Sequence, residues 1–288
     1  MGHDKLRKFA ENETFSCILQ PDTRALLACG YENLLDHPVK GHWSDFFAAL
    51  GFKGDASSPL VLELGCGKGE YTVALGEKYP DKRFLGVDIK GARLWKGAKY
   101  ATLNSVCNVA FLRSRIEFIT AFFAPAEVSE IWLTFSDPQL SKENSRLTSP
   151  LFLERYRTFL APSGIVHLKT DSRFLSEYTT AVCEANSLRI VTSSLDLYSG
   201  EYSGIKPAPE VCEVQTFYED IFRSQGYKIN YLAFCLDHEG PMVGPSHFDA
   251  QYWRSVEGPR QLFGRDTAET RRQKIHAESL REGGHPEK

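Results

Sequence analysis

Three short runs in the chain put acidic or glycine residues where an apolar strand ends. The first is Leu60-Val61-Leu62-Glu63-Leu64, running straight into Gly65-Cys66-Gly67-Lys68-Gly69. Glycines are required there because the turn is tight and because a ligand must approach the backbone more closely than a Cβ allows. The second, Phe84-Leu85-Gly86-Val87-Asp88-Ile89, places Asp88 at the next strand end, where a carboxylate accepts hydrogen bonds from both hydroxyls of a ribose. The third, Ile131-Trp132-Leu133-Thr134-Phe135-Ser136-Asp137-Pro138, ends on Asp137. In an open α/β sheet the carboxyl ends of the strands are the ligand edge, so these residues define one candidate site.

The glycine spacing selects among cofactors. A dinucleotide site favours G-x-G-x-x-G, which needs glycine at position 70, but that residue is Glu70 and the pattern is G-x-G-x-G. S-adenosylmethionine carries a sulfonium and an amino acid but no pyrophosphate, so it needs acids rather than a phosphate cradle. Glu63 stands beside the turn, where it balances either positive group, and Asp137 faces the transferable methyl if the turn holds this cofactor. Bland alternatives accompany each residue: a merely tight connection at the glycines, a buried acid paired with a cation at Glu63, and a turn aspartate before proline at Asp137.

The elements that position these residues alternate in a pattern typical of a mostly parallel sheet. Strands are expected at residues 60–64, 83–87, 109–112, 130–135, 164–169, 188–192 and 229–236, and helices at 70–78, 92–103, 150–160, 173–185 and 216–224. The fold class is therefore α/β, with a mostly parallel seven-stranded sheet and helices on both faces. Residues 1–58 form an aromatic-containing lead-in that packs on the core, residues 59–238 the catalytic domain, and residues 239–288 a polar extension. Within that extension the charged run Arg265 to Glu282 reads as a solvated helix or a disordered tail.

Composition narrows the setting. No apolar run reaches the length of a membrane span and the start lacks a signal-peptide core, so a cytoplasmic protein is expected. The 7 cysteines are scattered singly, and neither they nor the 8 histidines show metal-ligand spacing, so no metal site is expected. A formal net charge of -3 weighs against strong phosphate binding, although a local basic face suffices for an enzyme that binds nucleic acid transiently.

Four separated blocks resemble the bacterial tRNA (guanine-N7-)-methyltransferase family, over roughly residues 60–236. They are Leu62 to Glu70; Phe135 to Pro138 with Arg146-Leu147-Thr148; His167 to Asp171; and Thr216-Phe217-Tyr218-Glu219 with Phe222 and Gly226. The resemblance implies a Rossmann-like methyltransferase fold and transfer of a methyl group from S-adenosylmethionine to N7 of a guanine in tRNA, in the variable loop at position 46. It implies Glu63, Gly65, Gly67, Gly69, Asp88, Ser114 and Asp137 as cofactor contacts, with Asp137 also catalytic. Lys142, Asp171, Thr216, Phe217, Tyr218 and Glu219 fall at substrate positions. Guanine N7 has a free lone pair, so alignment and charge stabilisation matter more than a base.

The chain departs from the family in two places. Ser114 stands where an aspartate is expected, and the segment Gln139 to Arg146 is shorter and less basic, with Lys142 and Arg146 as its cations. Lys5, Arg7 and Lys8 offer compensating charge for RNA. A monomer or homodimer is expected. The competing readings are a methyltransferase of a small molecule or protein, and a cofactor-binding assembly subunit without activity; an NAD-dependent enzyme is disfavoured by Glu70.

Overall fold

Runs of Val, Leu, Ile and Phe without alternation need cover on both faces, and the central strands of this chain have it. In the computed structural model, which describes residues 2–257, β2 (Leu60–Leu64), β3 (Arg83–Val87) and β4 (Val109–Leu112) are buried at every position. That is how parallel strands sandwiched between helices read in sequence. With β1 (Ile18–Leu19), β5 (Val128–Thr134), β6 (Leu160–Thr170), β7 (Ile190–Ser194), β8 (Ser203–Gly204) and β9 (Asn230–Cys235) they form one nine-stranded sheet.

The strand order is β1-β4-β3-β2-β5-β6-β9-β7-β8. Pairings from β1 through β6 are parallel, while β9 runs antiparallel to both β6 and β7. The order reverses between β2 and β5: from β2 the chain first builds outward through β3 and β4, then returns to β2's other side. Such a switch point opens a crevice above the carboxyl ends of the strands. The seven expected strands are all present, and the two extra ones are two-residue strands at the sheet's edges.

The helices are α1 (Gly2–Asn12), α2 (Thr23–Leu26), α3 (Trp43–Ala49), α4 (Glu70–Lys78), α5 (Gly91–Leu103), α6 (Pro150–Arg157), α7 (Arg173–Ala185), α8 (Glu210–Glu213), α9 (Phe217–Ser224) and α10 (Ala250–Glu257). Helix α4 follows β2 directly, with Gly69 as its left-handed N-cap residue. Helix α7 starts on Ser172, whose hydroxyl accepts the Leu175 N–H at 3.0 Å, and α9 starts on Thr216, whose hydroxyl accepts that of Glu219 at 3.2 Å. The lead-in is stitched to the body: the Asn12 amide donates to the Gly91 carbonyl at 2.9 Å, and the Trp43 indole donates to the Phe122 carbonyl at 2.9 Å.

Contacts divide the chain into one unit over Met1–Ala250 and a second beginning at Gln251. The second is represented here by α10 alone, and the charged run 265–282 lies outside the described residues. Among the described residues no helix is long and apolar enough to cross a membrane, and no three His, Cys, Asp or Glu side chains cluster as a metal site would need.

Candidate functional site

The glycine turn is anchored from β3. Gly65 and Cys66 donate their N–H groups to the Val87 carbonyl at 2.8 and 3.1 Å. One residue further, Asp88 accepts the Gly67 N–H at 3.0 Å on one oxygen and the Lys90 N–H at 2.7 Å on the other. Asp88 therefore shapes the turn as well as bordering it. Gly67 has φ 58° and a Cβ added there would meet nothing within 4 Å, so its face is open to a ligand. Gly69, at φ 71°, is different: an added Cβ would strike the Phe111 ring, so this glycine serves the packing of α4 on the sheet.

Glu63 lies under the turn and is 4% exposed. It accepts the Thr72 N–H at 2.9 Å, the Thr72 hydroxyl, and the Thr134 hydroxyl, joining β2 to α4 and β5. Burial pushes its carboxyl up to about 7, while the hydrogen bonds from Thr134 and Thr72 pull the other way. Among the described residues no lysine or arginine forms an ion pair with it, so it is not the acid of a buried ion pair. A buried carboxylate without a resident cation suits a cationic ligand. Ser114, just past β4 at the same edge, is buried and donates its hydroxyl to the Arg115 carbonyl at 3.1 Å.

Asp137 is exposed, three residues beyond the end of β5. The backbone on either side is unusual, with Phe135 at φ 50° and Gln139 at φ 47°. Side chains seldom adopt this region, and such residues gather at functional sites. The Gln139 N–H donates to Asp137 Oδ1 at 3.1 Å. Lys142 is exposed, about five residues further along the chain. Arg146 is not the surface cation expected from sequence: it is 2% exposed, and its guanidinium donates to the carbonyls of Pro138, Gln139 and Leu140. It also lies over the rings of Phe174 and Tyr178, at 4.6 and 4.4 Å.

The fourth block reaches the glycine turn. The Phe217 N–H donates to Glu70 at 3.1 Å, and the Lys68 ammonium sits 4.8 Å from the Phe217 ring and 6.0 Å from that of Tyr218. Both rings are exposed beside the turn. Asp171 follows β6 at the same edge and is half-buried. Glu219, in contrast, points inward and is fully buried, 2.9 Å from the Lys169 ammonium and accepting the Tyr198 hydroxyl. Its second oxygen is buried without a hydrogen bond. The edge thus collects the glycines, Asp88, Ser114, Asp137, Asp171 and the start of α9.

The amino-terminal cations are also less available than their sequence suggests. Arg7 pairs with Asp4 at 2.8 Å and with Glu11, and Lys8 pairs with Asp4 at 2.8 Å. Sequence reasoning missed Lys169, Thr72 and Thr134 because their partners are distant along the chain. Lys169 carried one signal, a charged residue inside an otherwise apolar strand, which calls for a buried partner.

Residues 57–231 match the family model described as "Putative methyltransferase". A tRNA (guanine-N(7)-)-methyltransferase from Christiangramia forsetii is 47% identical over 80% of this chain and 97% of its own length. One from Bacteroides fragilis is 44% identical over 85% of this chain and 90% of its own length. A solved 16S rRNA methyltransferase, KamB, overlaps 70% of this chain and 94% of its own at 14% identity and a TM-score of 0.47. The family-model match over 57–231 makes the chain a methyltransferase by class. Within that class the chain belongs to the tRNA (guanine-N(7)-)-methyltransferase family.

Proposed function

We propose that the protein transfers the methyl group of S-adenosylmethionine to N7 of a guanine in tRNA, at position 46 of the variable loop. The observation that carries this reading is the convergence at one sheet edge of the open glycine turn, the acids Asp88, Asp137 and Asp171, and the exposed Phe217-Tyr218 pair linked to the turn through Glu70.

The cofactor fits the residues present. Gly65 and Gly67 leave the backbone approachable, while Gly69 fixes the turn against Phe111, and Asp88 has lone pairs beyond those used by Gly67 and Lys90 with which to accept the ribose hydroxyls. Ser114 takes the adenine side, and Glu63 compensates positive charge from beneath. When bound, S-adenosylmethionine supplies an electrophilic methyl carbon. Guanine N7 would present a free lone pair to that carbon, so no residue has to remove a proton first. Asp137 and Asp171 orient the purine and stabilise the positive charge that develops on it. Thr216, Phe217 and Tyr218 hold the base at the turn, Glu219 fixes that segment from the interior, and exposed Lys142 meets phosphate.

Residues 59–238 are the catalytic domain in this reading, 1–58 its packed lead-in and 239–288 an extension, and the enzyme works in the cytoplasm as a monomer or homodimer. The test is to incubate purified protein with bulk tRNA and methyl-labelled cofactor and map the modified nucleoside. N7-methylguanosine in the variable loop is the expected product. Methylation of small molecules or proteins with none of tRNA would sink the reading.

A further inference from the structure

The geometry points to Arg146 as the residue that positions Asp137, an inference that rests on Asp137 being the group that faces the transferred methyl. Arg146 is as buried as a core leucine, although its segment, Leu140 to Ser145, is largely exposed. Its Nε donates to the Pro138 and Gln139 carbonyls, both at 3.2 Å, and Nη2 donates to the Leu140 carbonyl at 3.1 Å. Three successive carbonyls face one cation only if the chain curls tightly, and the curl is visible as the left-handed backbone of Gln139. In that conformation the Gln139 N–H points at Asp137 Oδ1.

The guanidinium is itself held from behind. Phe174 and Tyr178, one turn apart on α7, place their ring faces against it, and the Tyr178 hydroxyl donates to Glu143 at 2.7 Å, strapping the same loop a second time. The contacts run from α7 through the guanidinium and three carbonyls to an N–H that the Asp137 carboxylate accepts. A planar, forked donor is required here. A lysine keeps the charge but cannot serve separated carbonyls in one plane while stacking on two rings. A residue built into the loop in this way differs from a phosphate contact, which has to present its charge to solvent.

The test is the single-turnover rate of R146K, D137N and the double variant with bulk tRNA and labelled cofactor, alongside cofactor affinity and the tRNA KM. R146K is expected to slow methyl transfer by about 10-fold to 100-fold, the usual consequence of a small misplacement at a reacting centre. Cofactor affinity and KM should stay within about twofold. Because Arg146 acts through Asp137, the double variant should be no slower than D137N alone. Losses that multiply, or a raised tRNA KM with a flattened salt dependence, overturn the inference. A wild-type rate in D137N sinks the reading of the site itself, and that single variant reports it separately. If R146K fails to fold, F174L thins the ring support without touching the charge, and the same multiplication with D137N decides against the inference.

Discussion

Lys169 and Glu219 meet at 2.9 Å with neither side chain exposed to solvent, joining the end of β6 to the first turn of α9. The ammonium also donates to the carbonyls of Val211 and Val214, at 2.7 and 3.0 Å, so it organises the segment leading into that helix. Burial lowers the lysine's pKa and the Glu219 carboxylate opposes that shift. Removing one partner of such a pair strands the other. Lys169→Met should therefore cost about 3 to 5 kcal/mol in urea denaturation, and adding Glu219→Gln should recover part of it. A loss within experimental error of zero would mean that the pair does not hold the segment.

Gly67 and Gly69 should respond differently to the same added methyl. Gly67→Ala keeps a left-handed backbone at a cost of about 1 to 2 kcal/mol, without a clash, and its methyl projects into the space open to the cofactor. The fold should survive and cofactor affinity should fall. Gly69→Ala adds a collision with Phe111, worth about another 1 to 3 kcal/mol, and should lower the melting temperature more. Thermal melts with and without S-adenosylmethionine distinguish the two. Equal melting losses would show that the Phe111 contact is relieved freely.

Asp88→Ala should weaken cofactor binding by about 1 to 3 kcal/mol by calorimetry, since it removes a charged acceptor. Asp88→Asn keeps only half of the turn's acceptors: its amide oxygen can take the Gly67 N–H, but its amide nitrogen cannot accept the Lys90 N–H. Melting temperature measured beside affinity assigns the loss, to the ligand where the melt is unchanged and to the turn where it falls.

The Glu63 carboxyl, raised to about 7 in the ligand-free protein, makes cofactor binding pH-dependent. The folded chain holds this proton between the ordinary carboxyl value and about 7, where the unfolded chain has lost it. Ligand-free stability contributed by this group therefore falls as pH rises through that window. A cationic cofactor favours the ionised form, so affinity should rise as pH climbs through about 7 and then level, with a proton released on binding. Calorimetry in buffers of different ionisation enthalpy reads that proton directly. Glu63→Gln should abolish the release; a release that persists would assign it to another group.

Asp137→Ala should reduce single-turnover methyl transfer to near background while leaving the melting temperature close to wild type, because the side chain is exposed, and the variant should still bind cofactor. A wild-type rate would make Asp137 only a turn residue before Pro138.

The glycine turn and its flanking elements were legible because they are local. β2, the glycine turn and α4 are consecutive, and the strand at 60–64 and helices at 70–78 and 173–185 have the expected bounds. β6 starts at Leu160, four residues earlier than expected, because Pro162, Ser163 and Gly164 read as breakers yet continue beside β5 past a register shift. β1 and β8 are too short to leave a pattern. Arg146 was misjudged for a different reason: the rings that bury it lie on α7, and nothing in Asn144-Ser145-Arg146-Leu147 distinguishes a buried guanidinium from a solvated one.

The reversed direction of β9 has an outcome for where the two halves of the site come from. Because β9 enters the sheet from the ligand edge, the stretch that feeds it, α8 and α9, is delivered to that edge from the far half of the sheet. The cofactor turn arrives from the near half. The start of α9 and the glycine turn are therefore separate stretches of sequence that meet at one edge, so a change between β8 and β9 leaves β2 to α4 intact as long as an acid still meets Lys169.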